Sequence, residues 1–366
     1  MSAVLIALLV VAVLLGALFA VWMEASGKLA PRLAPVEPVT LTAQADGLDT
    51  VEAFLREEFH AKPAARLKQG ASRMDLLGDK RAMFERVGTE RDYDAHFHSA
   101  DADGVPGEWT VVEGSNSDRR LLYLHGGGFT VGSPRSHRAV TVNLARETGA
   151  AVFAPDYRLM PENKRLDSLA DTMTAYRWML KHGPGGEAPA QSVFVAGDSA
   201  GGNLALGLLQ QARDAGLRLP DAAVGFSAST DYTVSGPNIR TNYHTDTMLQ
   251  PLVKPMMDAP RAVLPFAIWK AMGARPTDPR ISPLWGDLEG LPPTLLQVAK
   301  TEMLYDDALR YAAKADAAGS PIELEVWEAP DGSPPLPHVW VMFDRELPAA
   351  REALQRAAKF MVAQVQ

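Results

Sequence analysis

The chain has no cysteine among its 366 residues, which excludes disulfides, thiolate chemistry and zinc held by cysteine. A protein without thiols survives in either redox environment, so the compartment stays open. Positive charge is also scarce. Lysine and arginine number 36 against 44 aspartates and glutamates, a net charge of −8, whereas a nucleic-acid binder needs a basic footprint. No nucleic-acid partner is expected. Repeats and glycine-rich tracts of low complexity are missing too. What is present is apolar mass: 47% of residues are apolar and 22% charged, a balance that excludes intrinsic disorder and fibrous structure. The length suits two domains, or one large α/β domain with insertions.

One long apolar run stands at the N-terminus. Ala3 to Met23 carries no charge, and at about 1.5 Å per residue such a helix matches the hydrocarbon thickness of a bilayer. Trp22 stands where an interfacial aromatic belongs. Residues 1–26 therefore read as a single membrane anchor. The alternative is a cleaved signal peptide, with Ala25-Ser26-Gly27 as the nearest small-residue site, which would make the body secreted or periplasmic. No basic residue precedes the run, and it is longer than a signal peptide needs. Lys28 and Arg32 follow it and mildly favour a cytoplasmic body.

Residues 27–47 contain Pro31, Pro35 and Pro38 and read as a linker. Residues 48–100 open with a helical pattern, with Phe54, Leu55 and Phe59 among Arg56, Glu57 and Glu58. From residue 101 to 366 short apolar runs alternate with helical stretches. Leu121–Leu124, Ala151–Ala154, Val193–Ala196, Ala223–Phe226, Thr294–Val298 and Ile322–Val326 read as strands. This alternation predicts an α/β fold with a mostly parallel sheet covered on both faces. Asp344 to Gln366 reads as a closing helix. Residues 233–275 interrupt the alternation with Met248, Met256, Met257, Trp269 and Met272, and read equally as a cap-like insertion or a helical excursion of the core.

Two motifs carry chemistry. Gly197-Asp198-Ser199-Ala200-Gly201 lies between a strand and a helix start, the context of a nucleophile elbow. Its glycines permit the sharp turn, and Ser199 is the candidate nucleophile. His125-Gly126-Gly127-Gly128-Phe129 follows the strand Leu121–Leu124. Bare backbone amides of this kind hold an oxyanion, partnered by the amide after the nucleophile. Gly126, Gly127, Gly128 and Ala200 are the candidates, with Gly126 shaping the loop. His125 reads as a structural hydrogen-bonding residue. His96-Phe97-His98 alternates in a polar stretch and reads as surface, so no metal is expected.

The HGGGF loop, Asp156-Tyr157-Arg158-Leu159, the Gly197–Gly202 elbow and Ser282-Pro283-Leu284 together make the chain similar to the hormone-sensitive-lipase-like branch of the α/β-hydrolases, the bacterial family IV esterases. The resemblance runs from about residue 100 to the end and implies an α/β-hydrolase fold with a helical cap, for which residues 48–100 are the candidate range. It also implies an acid and then a histidine after the serine. Only His244 and His338 follow Ser199, and His338, between the last strand and the final helix, lies where the family keeps its general base. Glu302, Asp306 and Asp307 all follow the strand Thr294–Val298. Glu302 opens a segment resembling the family's acid pattern, although the family usually has aspartate there. Asp306 and Asp307 are expected to cap the following helix, and Asp231 is a remote candidate. Asn163-Lys164-Arg165 replaces the family's proline-rich continuation after Pro161-Glu162, and the loop from Glu328 to Pro337 is longer than usual.

The resemblance implies hydrolysis of short- to medium-chain carboxylic esters through Ser199, His338 and Glu302, with a small-molecule ester as partner and no cofactor. Lactone hydrolysis on the same residues, or ligand binding without catalysis on the same fold, are the alternatives.

Overall fold

The computed structural model describes residues 3–26, 33–260 and 262–365, and within the first helix the side chains of 11–13 and 15–24. Helix α1 (Ala3–Ala25) is followed by strand β1 (Val39–Thr42). Helix α2 (Leu48–Arg56) runs through a π-turn (Glu57–Ala61) into α3 (Lys62–Lys68), and α4 (Arg73–Thr89) completes the N-terminal helical stretch expected as a cap. Strands β2 (His96–Ala102), β3 (Val105–Val111) and β4 (Asn116–Leu124) lead to α5 (Arg138–Thr148), β5 (Ala150–Pro155) and α6 (Arg165–Met179). A small hairpin, β6 (His182–Gly183) and β7 (Gly186–Glu187), precedes β8 (Ser192–Asp198), α7 (Ser199–Asp214) and β9 (Ala222–Phe226). Three short helices follow: α8 (Asn238–Thr241), α9 (Gln250–Asp258) and α10 (Leu264–Met272). Strand β10 (Thr294–Ala299), α11 (Tyr305–Ala317), β11 (Ile322–Glu328) and α12 (Pro348–Ala363) close the chain.

Nine strands form one sheet in the order β1-β11-β10-β9-β8-β4-β5-β3-β2. The seven from β1 to β5 are parallel; β3 and β2 join antiparallel at one end. Strands β5, β9 and β10 are buried at every position, which is why they read as unbroken apolar runs. Helices α5 and α12 cover one face together with cap residues Leu48, Val51, Phe59 and Phe84. Helices α6, α7 and α11 cover the other.

The topology places the site. From β4 the chain steps to β5 on one side, then returns to β8 on the other side of β4. Crevices open at the carboxyl ends of strands where the order reverses. The glycine loop leaves β4 there, and Ser199 leaves β8.

Two stretches differ from the sequence expectation. The stretch 27–47 is more than a linker, because Val39–Thr42 pairs with Glu325–Glu328 as an edge strand. The cap range 48–100 is helical only to Thr89, since His96–Ala102 joins the sheet through the Asp103-Gly104 turn. His96 and His98 therefore lie on an edge strand with their rings 6.4 Å apart, and no cluster of metal-ligating side chains occurs among the described residues. Part of the expected anchor lies outside the described side chains; among the described residues no helix is long and apolar enough to cross a membrane.

Candidate active site

Ser199 begins helix α7 with φ at +50°, a left-handed conformation at the end of β8. A non-glycine residue pays about 1–2 kcal/mol to stand there, and the surrounding glycines show what enforces it. A Cβ on Gly201 would lie 1.9 Å from the Leu124 carbonyl oxygen, and one on Gly202 would lie 2.6 Å from Ala228 Cβ. Helix α7 thus packs with its backbone directly against β4, and the turn before it has no room to relax. Asn203 ties the same turn to Ser229 and Ile281 through their carbonyl oxygens at 2.8 Å.

The Ser199 hydroxyl lies 2.9 Å from Nε2 of His338, and Nδ1 of His338 lies 2.6 Å from Glu302 Oε2. The carboxylate accepts, so Nδ1 carries the proton and Nε2 is left to accept from Ser199. The other oxygen, Glu302 Oε1, accepts from the Ala299 amide at 2.7 Å and from the Ser227 hydroxyl at 2.8 Å. The Ser227 hydroxyl in turn accepts from the Val339 amide at 3.3 Å. Ser227 and Val339 both adopt positive φ, +47° and +53°. Strained residues cluster where surrounding structure over-determines them, and all three flank the serine, the acid and the histidine. Glu302 and His338 are buried, while Ser199 keeps 9% exposure, enough to meet a ligand.

Burial works against a charged His338, but the hydrogen bond to Glu302 and the charges of Glu302, Asp246 and Asp198 outweigh it, so its pKa is raised above the ordinary imidazole value. Asp246 had no role in the sequence reading. It sits before α9 in the insertion, accepting from the Leu249 and Met303 amides at 3.0 Å each. Burial raises its pKa to about 6. It clips the insertion to the loop that carries Glu302.

The glycine loop is held by Asp198. Its Oδ1 accepts from the Gly126 amide at 2.9 Å and from the Tyr123 hydroxyl at 2.6 Å. Gly126 therefore leaves the group of candidate oxyanion donors, because its N–H is already spent, and it shapes the loop instead. Gly127 and Gly128 have φ of +113° and +60°, and neither amide donates to a protein acceptor among the described residues. The Ala200 amide lies in the first turn of α7, where helices leave N–H groups without an internal partner. Nothing lies within 4 Å of a Cβ placed on Gly128, the open side of the loop. His125 is fully buried, stacks on Tyr157 at 4.2 Å and bonds the Gly126 carbonyl. Burial lowers its pKa to about 3, so it is neutral.

The remaining acids go elsewhere. Asp231 binds Arg310 at 2.7 Å and the Trp285 indole at 2.9 Å. Asp306 and Asp307 do not cap α11, whose N-cap is Leu304 without a side-chain bond. Asp306 accepts from the Asn238 amide, and Asp307 from those of Thr230 and Asp231. His244 is exposed against Tyr243. Arg165, where the family's proline-rich stretch is replaced, is buried over the Phe129 ring at 3.8 Å and donates to Asn203. Arg81 ties α4 to the chain just beyond the glycine loop, donating to the Thr130 carbonyl and pairing with Glu162 at 2.8 Å.

Such an array can polarise a serine hydroxyl, fix an imidazole tautomer and present amides to a developing oxyanion. The chain is similar to known ester hydrolases. The family described as alpha/beta hydrolase fold matches residues 121–331. An acetyl-hydrolase of Streptomyces hygroscopicus is 38% identical over 254 residues, 69% of this chain and 78% of that protein. An esterase of Acinetobacter venetianus is 30% identical over 257 residues, covering 70% and 78%. The crystal structure of an esterase from the bacterial hormone-sensitive lipase family superposes with a TM-score of 0.72 at 35% identity, covering 87% of this chain and 98% of that one.

Proposed function

The chain belongs to the hormone-sensitive-lipase-like esterases of the α/β-hydrolase superfamily and is a carboxylesterase-like ester hydrolase, and from that premise we propose that it works through an acyl-enzyme on Ser199. The observation that carries this is the unbroken line from Ser199 Oγ through His338 to Glu302, at 2.9 and 2.6 Å. His338 takes the hydroxyl proton as Ser199 attacks the ester carbonyl. The Gly127, Gly128 and Ala200 amides receive the oxyanion. His338 then gives its proton to the leaving alcohol, and the same imidazole activates water to release the acid. Glu302 orients the ring and stabilises the imidazolium.

The acyl group is short to medium in this reading, supported by the acetyl-hydrolase name of the Streptomyces relative. Membrane association through the N-terminal segment belongs to the same reading. It is supported by the uncharged run from Ala3 to Met23 and by the exposure of Val11, Val13, Leu15, Leu18 and Phe19, each more than half open.

Turnover of p-nitrophenyl esters from acetate to palmitate, beside Ser199→Ala, tests the mechanism. Ser199→Ala should lower kcat by on the order of 10⁶, and a phosphonate reagent should label Ser199 alone. Full activity in that variant would overturn the acyl-enzyme. A rate that rises steadily toward palmitate would overturn the short acyl assignment.

A further inference from the structure

Between the cap and the insertion lies a cavity of about 690 Å³, walled by α3, α4 and α9. One wall is Thr130, two residues beyond Gly128 in the glycine loop. The lining is apolar in part, with Phe59, Leu67, Leu76, Met83 and Leu252. Its charge is opposite to that of the molecule. Of the two acids lining it, Glu58 pairs with Lys62 and Asp79 pairs with Arg66. Arg73, Lys80 and Arg86 line it as well, and none of the three is in an ion pair among the described residues. In a chain of net charge −8, the chamber that meets the glycine loop at Thr130 therefore carries three cations outside any ion pair among the described residues.

Lys80 is the most telling of them. It projects from α4 with its ammonium 4.8 Å from the Phe59 ring centre. Burial lowers its pKa to about 8, yet among the described residues no carboxylate pairs with it. A desolvated cation met only by an aromatic face and by no counter-charge is costly, and a ligand anion would relieve that cost.

We propose that this cavity receives an anionic group of the substrate, a carboxylate or a phosphate, joined by an apolar spacer to the ester cleaved at Ser199. The inference rests on the acyl-enzyme reading. The apolar lining takes the spacer, Lys80 takes the charge, and Arg73 and Arg86 hold the potential positive at the mouth. Neutral esters remain substrates but leave Lys80 unpaired.

The test compares the full chain on mono-p-nitrophenyl esters of dicarboxylic acids, adipate to sebacate, with p-nitrophenyl alkanoates of equal length. A phosphate-tailed p-nitrophenyl ester forms the second arm and separates the two anions. An anionic ester should be preferred in kcat/KM by about tenfold or more, the scale of a hydrogen bond to a charged group. Lys80→Gln should remove most of that preference, and Lys80→Glu should reverse it. Equal or better use of the neutral esters by the parent chain, or a preference unchanged in Lys80→Gln, would overturn the proposal while leaving the esterase reading intact. If no ester is turned over, the acyl-enzyme reading fails instead. Probe displacement by decanoate, decyl phosphate and decanol in Ser199→Ala then decides the cavity: tighter binding of an anion supports it, and equal binding overturns it.

Discussion

At the scale of single residues the site works by assigning each proton. Glu302 Oε2 fixes the Nδ1 proton of His338, and its other oxygen is saturated by Ala299 and Ser227. The acid cannot swing away without breaking all of these. A base must be neutral to accept a proton, and His338 has a raised pKa. The acid limb of kcat/KM should therefore fall above the ordinary imidazole midpoint of about 6.5. Glu302→Gln removes the charge that does most to raise the imidazole pKa and leaves burial, which lowers it, opposed only by the charges of Asp246 and Asp198. That variant should lose about 10⁴ in kcat, and its remaining activity should extend to lower pH. A pH profile with unaltered circular dichroism checks this; a limb that moves upward would contradict the assignment. Ser199 and the glycine loop were legible in the sequence because elbow and loop are local patterns. Asp246 and Ser227 were not. Each acts on the acid from a segment more than 50 positions away, and neither stands in a pattern that advertises it.

Among the elements, strands buried on both faces were legible and edge strands were not. The central strands have no polar face to hide, so their apolar runs stand out. Strand β2, with a mixed and mostly exposed pattern, reads as a polar loop. The signal that could have found it is Asp103-Gly104, both at positive φ and closing Ala102 onto Val105, the two-residue turn that Asp-Gly favours. Strand β1 is four residues long and hidden among prolines. Helix α7 shows how closely element packing governs the site. Gly201 and Gly207 lie on the same helix, yet only the first touches neighbouring backbone. At Gly207 an added Cβ would find Leu169 at 3.7 Å, an ordinary contact. Gly201→Ala should cost about 1–3 kcal/mol and displace Ser199, with loss of both melting temperature and kcat. Gly207→Ala should be neutral or stabilising by up to about 1 kcal/mol. Thermal unfolding beside ester turnover separates the two, and an unaffected Gly201→Ala would mean that α7 is not pinned against β4.

The whole molecule has an unusual distribution of apolar surface. Residues 11–13 and 15–20 of α1 are exposed all round, and a helix apolar on every side needs cover from protein or lipid. Among the described residues protein supplies little. Helix α1 touches α10, and Glu24 reaches Arg275 at 3.5 Å with both side chains half-exposed, a pair worth little in water. Helix α10 itself leaves Phe266 open, with Val263 just before it. In the membrane association proposed above, lipid covers this end of the molecule, and we propose that the catalytic body does not depend on it. The edge strand β1 starts at Val39, well beyond the apolar run. A chain lacking residues 1–26 should therefore keep its fold and its turnover of water-soluble esters, while its recovery with sedimented phospholipid vesicles falls from most of the protein to a background level. If the truncated chain sediments equally well, the apolar run is not what binds lipid. If it unfolds, α1 is part of the body and the two functions are not separable.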